Sequence, residues 1–217
     1  MVFAAALLCG ALLCAPIAHS AAANKPKPAQ VVLVMGDSLS AAYGLAESQG
    51  WVALTAQKMA SERPDWRIVN ASISGETTAG GASRIARELA LHRPNLLVIE
   101  LGANDALRGL PLAQMRANLL RMISAAQAAK ANVLLIGMRI PPNYGPAYTR
   151  EFEASFRTVA EQKKVALLPF LLEPVARDRT AFQDDNLHPV ASAEPKVRDH
   201  VWVALEPLLS KHGAASK

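Results

Sequence analysis

The sequence predicts an α/β fold in which a five-stranded parallel sheet lies between layers of helix. Five short apolar runs rich in Val, Ile and Leu recur along the chain, longer stretches with helical periodicity separate them, and each run ends in small or polar residues. Apolar runs without polar alternation belong to strands buried on both faces, as in a parallel sheet covered on each side. The repeated order of strand and helix calls for right-handed crossovers and a three-layer α/β/α sandwich.

The first run, Val31-Val32-Leu33-Val34-Met35, is stopped by Gly36. The others are Trp66 to Val69, Leu96 to Leu101, Val133 to Ile136 and Val165 to Leu168. Apolar positions at helical spacing fill about Gly50 to Ser61, Thr78 to Leu91, Leu112 to Lys130, Ala147 to Lys163 and Ala191 to Leu209. No internal repeat and no interior Gly/Ser-rich boundary divides the chain, so residues 31–210 read as one domain and 211–217 as a tail.

With 217 residues, 51% of them hydrophobic and 19% charged, the chain has the composition of a globular protein, which excludes a disordered, collagen-like or coiled-coil chain. The net charge of +5 comes from Lys and Arg scattered in ones and twos, without a basic run or interleaved aromatics. That pattern argues against a nucleic-acid partner and leaves at most a weak attraction to anionic membrane surfaces. Residues 1–23 contain no Asp, Glu, Lys or Arg and end in Ala18-His19-Ser20-Ala21-Ala22-Ala23, the outline of an export signal, cleaved or else kept as an anchor, without the usual basic residue near Met1. Residues 24–30, with Lys25-Pro26-Lys27-Pro28, read as a linker. The expected location is therefore periplasmic or secreted. Both cysteines, Cys9 and Cys14, fall inside the leader, so a mature chain has no thiol nucleophile, thiolate metal site or iron–sulfur cluster.

In a parallel sheet ligands bind beyond the carboxyl ends of the strands. The residues there are Gly36-Asp37-Ser38-Leu39-Ser40, Asn70 to Thr77, Gly102-Ala103-Asn104-Asp105, Arg139 to Gly145, and a late loop with Asp184-Asp185-Asn186-Leu187-His188-Pro189. Of the five histidines, His19 leaves with the leader, His92 and His200 fall in or at the ends of predicted helices, and His212 lies in the tail. His188 alone stands on the predicted rim. By itself it reads first as a surface histidine in a polar loop, and it makes a poor metal site because no second His or Cys completes a ligand set. Ser38 reads as a helix N-cap or as a hydroxyl presented to an active site; Gly75 as a turn glycine; Asn104 as a turn or cap residue. No G-x-S-x-G surrounds any serine, and neither G-x-G-x-x-G nor G-x-x-x-x-G-K-[ST] occurs. A flavodoxin-like module that only binds a nucleotide or flavin therefore lacks its phosphate cradle, and no cofactor is expected.

Taken together, Gly36-Asp37-Ser38-Leu39, Gly75, Gly102-x-Asn104-Asp105 and Asp185-x-x-His188 resemble the four blocks of the SGNH, or GDSL-type, hydrolases. Asn70 to Thr77, Glu100 to Gly109 and Pro142-Asn143-Tyr144-Gly145 are similar to the bacterial periplasmic thioesterase/lysophospholipase/arylesterase branch of that family. The similarity runs from about Val31 to Leu209 and implies the flavodoxin-like SGNH-hydrolase fold. It implies Ser38 as nucleophile, His188 as base and Asp185 as the carboxylate orienting it, with Ser38, Gly75 and Asn104 donating to the oxyanion. Ala103 stands where many members carry glycine, and Asp184 sits beside Asp185. The implied activity is hydrolysis of carboxylic esters and acyl thioesters, including lysophospholipids, by a monomer without cofactor or metal. Leu107, Pro111, Ile140 and Tyr144, on apolar rim loops, are the expected acyl-binding residues. A carbohydrate O-deacetylase of the same superfamily is the rival reading.

Overall fold

The computed structural model describes residues 29–209. The leader at 1–23, most of the linker at 24–30 and the tail at 211–217 lie outside the described residues. Strands β1 (Gln30–Gly36), β2 (Trp66–Asn70), β3 (Leu96–Glu100), β4 (Asn132–Ile136) and β5 (Ala166–Leu168) form one sheet in the order β2-β1-β3-β4-β5. Every pairing is parallel, with Val32 opposite Ile68 on one side and Leu96 on the other. The strands without polar alternation are the inner ones: Val32, Leu33, Met35, Leu96, Leu97 and Ile99 are wholly buried. Edge strand β2 carries the exposed Arg67 and is only partly covered.

The helices are α1 (Trp51–Glu62), α2 (Thr78–His92), α3 (Ala103–Leu107), α4 (Leu112–Ala128), α5 (Pro146–Lys163) and α6 (Glu194–Leu209). The chain runs from β1 to β2 in one direction and from β2 to β5 in the other. Right-handed crossovers then put α1 on one face and α2, α4 and α5 on the opposite face. The packing follows: α1 lies against α6, and α4 lies between α2 and α5. Trp51 fills one layer and the edge-to-face pair Phe152–Phe156 the other, with ring centroids 5.1 Å apart. Burial of each such side chain contributes about 1.5–3 kcal/mol.

Two elements depart from the sequence reading. Helix α3 spans five residues, too few for an apolar period to show, and follows Gly102 at φ +126°. Helix α6 starts at Glu194 rather than Ala191, because residues 191–193 form a turn; Pro195, in the first helical turn, needs no N–H partner there. The strand order reverses at β1, so the crevice between the carboxyl ends of β1 and β3 is the topological switch point where ligands bind in such sheets.

Candidate active site

Ser38 follows β1 directly. Asp37 accepts the Leu39 N–H on Oδ1 at 3.0 Å, which folds the chain back at once, and the Tyr43 N–H closes on the Ser38 carbonyl at 3.0 Å. Gly36 is required by close approach, since a Cβ there would lie 2.4 Å from Ser40 Oγ and 2.8 Å from Glu100 Oε2. The segment after Ser38 consists of turns, and α1 begins only at Trp51, so Ser38 caps no helix and draws nothing from a helix dipole.

His188 arrives from the other end of the chain on a loop closed by the Phe182–Pro189 bridge and by the Gln183 N–H on the His188 carbonyl at 2.8 Å. Asn186 adopts φ +57° and turns the loop so that Asp185 Oδ1 accepts the N–H groups of Leu187 and His188 at 2.9 and 3.0 Å. Asp185 Oδ2 lies 2.6 Å from His188 Nδ1, and His188 Nε2 lies 2.7 Å from Ser38 Oγ. A carboxylate facing Nδ1 keeps the proton there, leaving Nε2 free to accept the Ser38 hydroxyl. Burial pushes the Asp185 carboxyl up, but the His188 N–H and imidazole and the Leu187 N–H pull it further down, and the net shift is below its ordinary value. The carboxylate that meets the imidazole is that of Asp185 and not of Asp184, whose carbonyl instead accepts the Asn186 amide.

The two ends are clasped together. The Tyr43 ring lies 4.6 Å from the His188 ring, and the Gln183 amide donates to the carbonyls of Tyr43 and Pro189, each at 2.9 Å.

Asn104, on α3, lines the same cleft as Ser38, and Gly75 stands on the loop after β2, outside that lining. Gly75 adopts φ +77°, which glycine tolerates without strain, and its carbonyl accepts Arg108 Nη2 at 2.8 Å. Arg84 of α2 holds the same loop through Glu76 and the Ala71 carbonyl. Among the described residues, neither the Ser38 nor the Gly75 N–H donates a hydrogen bond. The Asn104 amide gives one hydrogen to Asp37 Oδ2 at 3.0 Å and keeps one. The Gly75 loop and α3 are tied by Asp105, whose carboxylate accepts the N–H and hydroxyl of Thr78 at the start of α2.

Three acids that the sequence reading left without a role thus hold the site: Asp37, Glu100 and Asp105. All three are buried. The signal for Glu100 was a charged residue inside an apolar strand. Burial raises the Asp37 carboxyl to about 6, against the Leu39 N–H, His188 and Asn104, which lower it. Burial and the Asp37 charge raise Glu100 well above its ordinary value. Among the described residues no cluster of His, Cys, Asp or Glu could hold a metal ion.

A cleft opens beside Ser38, Asn104 and His188, walled by Leu39, Leu107, Met138, Ile140, Pro141 and Leu187. Leu107 and Ile140 thus stand in the cleft wall. Pro111 and Tyr144 stand outside this lining: Pro111 caps α4, and the Tyr144 hydroxyl donates to the Leu107 carbonyl at 3.1 Å.

Residues 34–193 match the GDSL-like lipase/acylhydrolase family. Esterase TesA of Pseudomonas aeruginosa is 48% identical over 205 residues, which are 94% of this chain and 99% of that protein. Thioesterase 1/protease 1/lysophospholipase L1 of Escherichia coli K12 is 38% identical over 182 residues, 84% of this chain and 86% of that one. A crystal structure of TesA superimposes with a TM-score of 0.80 at 50% identity, covering 82% of this chain and 99% of its own. A five-stranded sheet in this order, a serine and a histidine meeting at its switch point, and a family match across most of the chain lead to one conclusion: the chain belongs to the GDSL-like lipase/acylhydrolase family and is an ester hydrolase.

Proposed function

We propose that the protein hydrolyses carboxylic esters and acyl thioesters through an acyl-enzyme on Ser38. The observation that carries this reading is the unbroken line from Asp185 to His188 to Ser38, with gaps of 2.6 and 2.7 Å, at the mouth of an apolar cleft. His188 Nε2 takes the hydroxyl proton as Ser38 attacks the carbonyl carbon, and Asp185 stabilises the imidazolium that forms. The negative oxygen of the tetrahedral intermediate is met by the N–H groups of Ser38 and Gly75 and the remaining amide hydrogen of Asn104. His188 then protonates the leaving alcohol or thiol, and water repeats the sequence on the acyl-enzyme.

The apolar wall favours an acyl chain over the hydroxyl-rich surface of a sugar, which sets the carbohydrate deacetylase reading aside. Leu187 stands exposed in the cleft wall, and Tyr43, Ile73, Leu110 and Tyr144 are exposed on the segments that follow β1, β2, β3 and β4, an apolar rim at the carboxyl ends of the strands. Such a rim suits amphiphilic substrates such as lysophospholipids and a loose association with membrane surfaces. We read the enzyme as a monomer, exported by the leader at residues 1–23, an apolar run that ends in small residues.

Mass spectrometry of the protein after exposure to a fluorophosphonate tests the reading. A single adduct on Ser38, slowed by excess p-nitrophenyl ester present during the exposure, is expected, and the same spectrum gives the mature N-terminus. An adduct on any other residue, or none, overturns it.

A further inference from the structure

Glu100 closes strand β3 with 0% exposure, where a parallel strand has no water to offer a charge. Its Oε2 accepts the Ser40 hydroxyl at 2.7 Å and the Asp37 N–H at 3.3 Å, while Oε1 is buried and takes no hydrogen bond. The Asp37 side chain is 1% exposed, and the pairing of Gly36 with Glu100 and the Asp37 N–H on Glu100 Oε2 put it beside this carboxyl. Two carboxylates side by side away from water do not both stay ionised; one shared proton removes the repulsion and supplies the donor that is missing. The environments decide which of them holds it. Asp37 accepts the Leu39 N–H and the Asn104 amide and faces His188, all of which favour its anion. Glu100 accepts from the Ser40 hydroxyl and the Asp37 N–H on one oxygen, and its other oxygen is buried without a donor.

We propose that Glu100 is a positioning residue that works as a neutral acid: its hydroxyl holds the Asp37 carboxylate, and Asp37 in turn holds the Asn104 amide where the oxyanion forms. The function given to Asn104 is the reading above, on which this inference rests. An amide has two hydrogens, so the one bound to Asp37 Oδ2 fixes the direction of the other. The directions of the shifts agree: burial lifts both carboxyls, Asp37 to about 6 and Glu100 well above its ordinary value.

Two measurements test this. The infrared difference spectrum between wild type and Glu100→Gln, taken somewhat above neutral pH so that Asp37 and Glu194 are ionised, should contain the carbonyl stretch of a protonated carboxylic acid. In kinetics, Glu100→Ala should lower kcat by about 10- to 100-fold with KM little changed, and Glu100→Gln, a neutral donor of the same shape, should recover most of the loss. In an Asn104→Ala background the Glu100→Ala change should cost less than about threefold, because the group it positions is gone. A difference spectrum without that band, a Gln variant as impaired as the Ala variant, or full additivity with Asn104→Ala overturns the proposal. Should Glu100→Ala not fold, the infrared band and the kcat of Glu100→Gln decide alone, since a required negative charge would leave the Gln enzyme nearly inactive. If Asn104→Ala itself turns over normally, the oxyanion reading fails, and the infrared result still judges the state of Glu100.

Discussion

The carboxylate of Asp105 accepts both the backbone N–H and the hydroxyl of Thr78, and the Thr78 hydroxyl accepts the Asn118 amide in turn. One side chain thereby caps α2, which follows the Gly75 loop, from the position next to Asn104. Replacing it with alanine leaves a buried amide unpaired and frees the two loops from each other. Asp105→Ala should lose about 1–3 kcal/mol of stability and lower kcat together with it. Calorimetry and steady-state kinetics on the same preparation check both, and an unchanged melting temperature would remove the link.

Ser38→Ala should lower kcat by about 10⁶, and Asp185→Asn by about 10⁴. Asparagine at 185 presents an amide to Nδ1 and favours the wrong imidazole tautomer. Asp185 is exposed, so both variants should melt as wild type does. A drop of less than tenfold in Asp185→Asn would mean that His188 needs no orienting carboxylate.

In the proposed mechanism Asn104→Ala removes a single oxyanion donor. The expected loss is about 10²–10³ in kcat, roughly 3–4 kcal/mol, with little change in KM because the donor acts on charge that appears only in the transition state. Stopped-flow measurement of the acylation step with a p-nitrophenyl ester gives the number directly.

Glu194 accepts the Trp51 N–H at 2.8 Å, and burial outweighs this bond and raises its carboxyl to about 7 from 4.5. A group whose folded value is raised binds more protons folded than unfolded, so its contribution is full below 4.5 and is lost as pH rises through about 7. The melting temperature should fall across that window, with Asp37 and Glu100, also raised, adding to the slope. Glu194→Gln keeps an acceptor for Trp51 and should flatten part of the fall; an identical slope in the variant would exclude Glu194 as a source.

Apolar walls at Leu107 and Ile140 should make kcat/KM rise with acyl length until the cleft is filled, by up to about threefold per methylene, and Ile140→Asn should flatten the rise. Equal kcat/KM from acetyl to decanoyl esters would show that the chain is not held there.

Much of the architecture was legible because inner strands of a parallel sheet have no solvent face. Val31 to Met35 and Leu96 to Leu101 could be little else, and their ends led straight to Ser38 and Asn104. The late loop was legible through the scarcity of histidine. What stayed hidden depends on distance rather than pattern. Helix α3 is shorter than two periods, the turn after Ser38 is not a helix, and Pro111 and Tyr144 lie on the expected loops yet outside the cleft lining. Asp37, Glu100 and Asp105 meet partners 67, 60 and 27 positions away, and no single sequence records which acid finds which amide.

Ser38 and His188 are 150 positions apart, and the Gln183 clasp brings them together only when the late loop has docked on the first. A nascent polypeptide still missing its last fifty or so residues thus carries the serine but no partner for it and is chemically silent. On the proposed mechanism, turnover of an ester therefore doubles as a readout of domain closure: hydrolysis begins only when the late loop has docked.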